Sequence, residues 1–481
     1  MTTKVLAVSS ECAPFAKTGG LADVVGALAK VLGDHDGECR VLLPLYRSIA
    51  HLAEGAATAL ELGNKFGGPV RVLTQRAAGI DLLLVDAPHL YDRPAQIYLD
   101  DAGKDWADNH LRFGLLSWVG SVIGRGGLDG WRPDVVHAHD WQAGLVPIYL
   151  RQFGKDTPPC VVTIHNIAFQ GVFAPSTMGE LGLDPAGFTQ DGFEFFGKIS
   201  FLKGGLMLAD QITTVSPTYA RELMTSEFGM GLEGVLRSRS HVLTGILNGI
   251  DTEVWNPGTD PVLAQTYSSR TLRRKAANKQ AVLAHFGLPE DTSAPLFSVV
   301  SRLSDQKGLD IALQALPGLI AQGARFVLLG SGDPDLERGF SELASQHPDS
   351  VGVEIGFDEN LAHLIQAGAD TILIPSRFEP CGLTQLCAMR YGTLPIVSKT
   401  GGLADTVIDA NEAALAMGCA TGFQFAPVTV DKLSDALSRA MNLFEDEKAW
   451  QKVMRNAMKH PVGWERSADK VVDIYKGLLG S

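Results

Sequence analysis

The sequence predicts two doubly wound α/β domains, and three observations carry that prediction. Short apolar runs alternate with longer helix-period stretches along the whole chain, the pattern of parallel sheets joined by crossover helices. At 481 residues the chain is too long for one ordinary core of about 150 residues. No Ser/Gly/Pro-rich or charged linker divides it into smaller pieces.

The elements follow in order. Residues 4–8 read as a first strand, followed by a glycine-containing loop and a helix over about 21–32. Residues 40–43 read as a strand ending at Pro44, and 135–139 and 160–164 as strands whose carboxyl ends carry polar residues. Residues 211–215 form another, closed by Ser216-Pro217. After Asn248-Gly249-Ile250-Asp251 a second series begins, with strands at 296–301, 326–329, 371–374 and 394–397. Ligands of open parallel sheets bind outside the carboxyl ends of the strands, so function is expected there. The boundary between the halves falls near 248–257.

Composition narrows the function. Apolar residues make up 45% and charged ones 20%, enough for sizeable cores and unlike a disordered chain. A net charge of −13 argues against nucleic acid or an anionic membrane as partner. An anionic small substrate would need a local concentration of Lys and Arg. The six cysteines form no CxxC and no Cys/His set with zinc spacing, which reads as reduced cytosolic usage. The apolar start, Val5 to Val8, gives way at once to Ser9-Ser10-Glu11, a buried strand rather than a signal peptide. No apolar run approaches the roughly 20 residues of a membrane span. The expected location is the cytoplasm.

Residues 17–23 read Lys-Thr-Gly-Gly-Leu-Ala-Asp, and residues 399–405 repeat all seven. Gly19-Gly20 and Gly401-Gly402 would let backbone approach a ligand and offer N–H groups at a helix start, which suits phosphate. Lys17 and Lys399 add charge nearby; the plainer reading is a turn that only packs strand against helix. After the strand at 296–301 come Arg302 and Lys307, placed to clamp a diphosphate with a planar fork and a point charge. As isolated residues they would more often be solvated loop cations. Gly330-Ser331-Gly332-Asp333 is a short glycine loop and weak evidence by itself.

Glu379, between Phe378 and Pro380 in a segment that also holds Pro375, could grip sugar hydroxyls or a developing positive charge. Cys381 reads as a small buried filler before a reactive thiol. His137 and His139 share one face of a strand, but no further ligand is spaced to complete a metal site. Sugar contact by His137, His139, Asp140 and Trp141 is the better reading. His165-Asn166 is another polar pair at a strand end.

Together these segments resemble the ADP-glucose-dependent glycogen and starch synthases, retaining glycosyltransferases of the GT-B fold. The carriers are residues 17–23, 137–141, 165–171, 247–257, 301–310, 375–385 and 400–407, in the family's order over nearly the whole chain. The resemblance implies two Rossmann-like domains facing a cleft. The first is an acceptor-side domain over 1–248, and the second a nucleotide-binding domain over 249–458. A C-terminal helix within 459–481 returns to the first domain, with Ala468, Val471, Val472, Ile474, Tyr475 and Leu478 as its apolar face.

The family's roles carry over by position. Lys17 resembles the lysine that meets the sugar nucleotide, within a segment that includes Gly19 and Gly20. Arg302 and Lys307 resemble the pair that neutralises the departing ADP. His165 resembles the histidine beside the transferring glucose, and Glu379 the glutamate that binds it. Asp23, Asp140, Asn166 and Asn248 match positions lining the glucose or acceptor side. Cys381, Gly382, Leu383, Thr400, Gly401 and Gly402 complete the implied substrate-binding set. Phe357 stands where some members place a Tyr against adenine, so stacking survives but a hydroxyl contact does not. Gln142 replaces a His of some relatives. The implied partners are ADP-glucose and an α-1,4-glucan such as glycogen or maltodextrin, with self-association left open. No cofactor or metal is expected.

Rival readings are another GT-B enzyme, such as a sucrose or trehalose-type synthase or an epimerase, and a non-catalytic glucan- or dinucleotide-binding protein. The first would lack the 17–21 segment, and the second should have lost one of Lys17, Arg302, Lys307 or Glu379. An oxidoreductase is disfavoured because the first βα turn lacks G-x-G-x-x-G.

Overall fold

The computed structural model describes residues 2–34, 37–94, 96–128 and 130–480. It divides into two compact units, one of Met1–Asn248 with Trp464–Ser481 and one of Gly249–Gly463.

The first unit holds strands β1 (Thr3–Val8), β2 (Gly37–Pro44), β3 (Ala57–Lys65), β4 (Gly68–Ala77), β5 (Ile80–Asp86), β6 (Val135–His139) and β7 (Cys160–Ile164). It continues with β8 (Val172–Phe173), β9 (Glu194–Phe195), β10 (Lys198–Ser200), β11 (Gln211–Thr214) and β12 (Leu243–Gly245). A nine-stranded sheet runs β12-β11-β7-β6-β1-β2-β5-β4-β3, and a three-stranded one runs β8-β10-β9. Pairings from β12 through β5 are parallel, whereas β4 is antiparallel to both β5 and β3. The β3–β4 hairpin has no counterpart in the sequence reading. Most of β3 faces solvent, so it carries no apolar run to announce it.

Central β1 pairs on one side with β2 and on the other with β6. After β2 the chain goes out to the β3 edge, comes back through β4 to β5 beside β2, and then crosses to the opposite side of β1, which puts a topological reversal at the β1/β6 edge.

The second unit contains β13 (Leu296–Val300), β14 (Arg325–Gly330), β15 (Val351–Ile355), β16 (Thr371–Ile374), β17 (Leu394–Ser398) and β18 (Phe423–Phe425). Their order is β15-β14-β13-β16-β17-β18, and every pairing is parallel. The central strands are mostly apolar because they are buried on both faces, whereas edge strand β15 turns Glu354 and Ile355 outward. Along β14, Phe326 and Leu328 join one core while Val327 and Leu329 join another, the period-2 alternation of a strand buried on both sides. The reversal here lies between β13 and β16.

The C-terminal helix Glu465–Leu479 belongs to the first unit, where Ala468, Val471 and Tyr475 are buried. The return begins later than residue 459. Residues 459–463 stay with the second unit, where Ile250 N–H donates to Val462 O at 2.8 Å.

Candidate active site

In the second unit the segments that follow β13 and β16 meet at the reversal point. Lys307 Nζ lies 2.6 Å from Glu379 Oε2, and Ser376 Oγ donates to the same oxygen at 2.9 Å. Two further contacts lock the loops together: Arg377 N–H donates to Gln306 O at 2.9 Å, and Gln306 Nε2 to Phe378 O at 3.3 Å. Arg377 also forks onto Asp310 at 2.8 and 2.7 Å, and that guanidinium holds the Asp310 carboxyl below its usual range.

Close backbone approach explains two glycines. At Gly308, φ is +62° and a Cβ would stand 2.1 Å from Pro375 O. At Gly401, φ is +42° and a Cβ would stand 1.9 Å from Glu379 O. Only glycine fits either position.

Arg302 is exposed and has no ion-pair partner among the described residues. Its chain neighbour Leu303 is buried and hydrogen-bonds to Ser331 O, so the backbone beneath that free cation is fixed. Lys307 differs, since it already faces an anion.

Of the glycine N–H groups in the repeated heptapeptide that the sequence offered to phosphate, those of Gly19 and Gly402 are already engaged within the chain. Gly402 N–H is shared between Glu379 O and Pro380 O, both at 3.1 Å. In the first unit the Glu11 carboxylate accepts from Thr18 N (2.5 Å), Thr18 Oγ1 (2.6 Å) and Gly19 N (3.3 Å). A carboxylate just after β1 thus occupies one donor, Gly19 N–H, that the sequence reading offered to phosphate. Lys17 is paired with Asp23 at 2.8 Å on the surface of the helix Gly20–Asp34.

At the β6/β7 edge of the first unit, His137, His139, Asp140 and His165 cluster. His137 and His139 stack with centroids 4.2 Å apart, as strand alternation predicts. His139 Nδ1 is 3.0 Å from His165 Nε2. Asp140, with φ +56°, accepts from His165 N at 2.7 Å and Asn166 N at 3.4 Å. Burial pushes His137 and His165 down to about 3 and His139 well below its ordinary value, so all three rings are neutral. Burial also raises Asp140 to about 7, against the pull of its two backbone donors. Trp141 packs edge-on against Phe113 and is a core side chain.

The remaining candidates are dispersed. Asn248 closes the first unit after β12. Phe357 is 85% exposed after β15. Cys381 is buried, and Gly382 and Leu383 lead into the helix Thr384–Arg390. Thr400 precedes the helix Gly401–Thr406. Sequence reasoning missed Glu11, Ser376 and the Arg377–Asp310 fork. The available signal for Glu11, Ser376 and Arg377 was their position just after an apolar strand, whereas Asp310, in the first turn of the helix Leu309–Ile320, carried none. Among the described residues, no group of three or more His, Cys, Asp or Glu is disposed to hold a metal ion.

The fold has known counterparts. A sucrose-phosphate synthase of Thermosynechococcus elongatus superposes with a TM-score of 0.60 over 99% of both chains at 18% identity, a likeness of fold alone. The catalytic domain of starch synthase IV from Arabidopsis thaliana, solved with ADP and acarbose, is nearer. It covers 100% of both chains with a TM-score of 0.88 and 32% identity. Two Rossmann-like units with polar clusters at their parallel-strand edges define a glycosyltransferase of the GT-B class.

The starch synthase catalytic domain profile matches residues 4–238, and the glycosyl transferases group 1 profile matches residues 283–457. A glycogen synthase of Roseobacter denitrificans is 60% identical over 99% of this chain and 100% of its own length. That of Rhizobium johnstonii is 50% identical over 99% of both. The chain belongs to the glycogen synthase family.

Proposed function

We propose that this chain transfers glucose from ADP-glucose to the non-reducing end of an α-1,4-glucan, with retention of configuration and release of ADP. The observation that carries the reading is the edge between β13 and β16. There Lys307 sits against Glu379 while Arg302 has no ion-pair partner among the described residues, giving two cations for a diphosphate and one carboxylate for a sugar. The ADP and acarbose held by the Arabidopsis relative support both substrate classes.

In this mechanism the anomeric carbon–oxygen bond to the diphosphate breaks, and the acceptor hydroxyl oxygen bonds to the same face of the sugar. The acceptor proton passes to the leaving diphosphate oxygen, so no protein nucleophile is required. Arg302 and Lys307 offset the charge that grows on the diphosphate, a preorganised stabilisation worth several kcal/mol. Glu379 holds the glucose and answers the positive charge developing on its ring. Phe357 stacks on the adenine. Lys17, Gly19, Gly20, Asp23, Asn248, Cys381, Gly382, Leu383, Thr400, Gly401 and Gly402 complete the substrate contacts. Asp140 fixes the His165–Asn166 backbone beside the glucose. Neither metal nor other cofactor takes part, and the reaction runs in the cytoplasm. No helix among the described residues is long and apolar enough to cross a membrane.

A radiolabelled transfer assay comparing ADP-glucose with UDP-glucose on a glycogen primer tests the reading. Transfer from ADP-glucose is expected to dominate. Label entering glycogen from neither donor would overturn the activity, and a preference for UDP-glucose would overturn the donor.

A further inference from the structure

The ring of His165 has two polar edges, and the structure accounts for one of them. Its backbone is held separately, through the N–H that Asp140 accepts at 2.7 Å. Its Nε2 meets His139 Nδ1 at 3.0 Å. His139 is 1% exposed, and its other nitrogen, Nε2, is buried with no hydrogen-bond partner. His139 is itself immobilised by stacking on His137, whose ring is tied to Tyr475 OH at 2.7 Å and Thr163 Oγ1 at 2.5 Å.

A neutral imidazole has one N–H and one lone pair, so this contact admits two arrangements. If His165 Nε2–H donates, His139 must carry its own proton on Nε2, which leaves a buried N–H without an acceptor. If His139 Nδ1–H donates, the orphaned atom is a bare lone pair instead. Orphaned buried N–H groups are the rarer of the two in folded proteins, because unmet donors are tolerated less well than under-used acceptors. The second arrangement also forces the His165 proton onto Nδ1, the edge turned away from His139.

We propose that His139 is a positioning residue for the transfer reaction. It donates from Nδ1 to His165 Nε2 and thereby fixes His165 as the Nδ1–H tautomer, a hydrogen-bond donor toward the sugar. The importance of that tautomer rests on the reading of His165 as the histidine beside the transferring glucose; the tautomer itself does not.

The decisive experiment is nitrogen–proton correlation NMR on the full chain with isotopically labelled histidine, which distinguishes a protonated from a bare ring nitrogen. Wild-type His165 is expected to show a protonated Nδ1 and a bare Nε2. In His139→Asn the carboxamide N–H can replace Nδ1–H, so the His165 pattern should persist and kcat should fall less than about tenfold. In His139→Leu the donor is gone, so the His165 pattern should change and kcat should fall by about 10–100-fold, as for other residues that orient a functional group. A wild-type His165 protonated on Nε2 overturns the proposal. So does a Leu variant that keeps the wild-type pattern, or an Asn variant as impaired as Leu. If Leu fails to fold, the wild-type spectrum and the Asn variant still decide. A His165→Ala enzyme with normal turnover would instead defeat the role of His165, while leaving the tautomer assignment to the spectrum.

Discussion

Lys307 Nζ and Glu379 Oε2 lie 2.6 Å apart, although 72 residues of chain separate them. One follows β13 and the other β16, the adjacent parallel strands between which the order of strand addition reverses. On the proposed reading, the cation and anion brought together at that edge would meet the two ends of a sugar diphosphate. The pair also ties the two loops to each other. Arg302, on the same β13 loop, makes no such tie.

That contrast separates two substitutions. Arg302→Ala is expected to lower kcat by about 10²–10³ while changing stability by no more than about 0.5 kcal/mol. Lys307→Ala should lose a similar factor in rate and also destabilise the fold by about 1–3 kcal/mol, since Glu379 is left buried with one donor fewer. Lys307→Arg should not fully rescue, because a planar fork cannot take the position of a point charge. Steady-state kinetics and urea unfolding of each variant check this. Folded Ala variants with near-normal kcat and KM would defeat the diphosphate assignment.

The two glycine pairs respond differently to a methyl group. A Cβ on Gly401 would meet Glu379 O at 1.9 Å and require a φ of +42°, so Gly401→Ala should displace the carboxylate loop. The expected result is a loss of at least about 10²-fold in kcat/KM with a lowered melting temperature. At Gly19 nothing lies within 4 Å of the point a Cβ would occupy. Gly19→Ala is therefore expected to leave stability within about 0.5 kcal/mol of the parent. Its KM for ADP-glucose then reports whether a ligand approaches that backbone.

What was legible in the sequence follows from physics that is local. Buried parallel strands must be apolar and must end, so the positions of Arg302, Glu379 and His165 at strand ends could be read directly. Alternation along β6 put His137 and His139 on one face, and the rings stack. Partners set by distant chain could not be read. Glu11 looks like any polar residue after a strand until Tyr98, 87 residues later, donates to it at 2.6 Å. Strand β3 was illegible for a different reason: most of it faces solvent, and a strand that buries little has no pattern to display.

Chelation is expected to leave transfer nearly unchanged if, as proposed, Arg302 and Lys307 supply the charge that a cation would bring to the diphosphate. Activity measured with and without excess chelator tests this. A complete loss restored by Mg²⁺ or Mn²⁺ would refute it.

The C-terminal helix is anchored in the first unit by polar contacts as well as packing: Ser467 Oγ donates to Leu247 O, and Tyr475 OH meets His137 Nδ1 at 2.7 Å in the interior. Tyr475→Phe keeps the packing and leaves the imidazole nitrogen unpaired, at a cost of about 1–3 kcal/mol. Urea unfolding should register that loss. An unchanged midpoint would mean that the Tyr475–His137 contact contributes nothing to holding the helix.

The buried cluster at the β6/β7 edge also makes stability depend on pH, with opposing signs. Burial lowers His137 and His165 from 6.5 to about 3. The unfolded chain therefore binds protons there that the native state refuses. Their contribution is present above pH 6.5 and is lost as pH falls toward 3, each histidine adding a slope of up to about 1.4 kcal/mol per pH unit. Asp140 runs the other way. Burial raises it from 3.8 to about 7, so its contribution is full below pH 3.8 and fades as pH rises through 7. Asp140→Asn removes only this second effect, and the amide oxygen can still accept the His165 and Asn166 N–H groups. Relative to the parent, Asp140→Asn should thus gain stability between about pH 5 and pH 8 by about 1–3 kcal/mol. Urea unfolding of both proteins at the two pH values measures the difference directly. A gap that does not change with pH would show that Asp140 ionises in the native state at or below its ordinary value, its two backbone donors fully offsetting its burial.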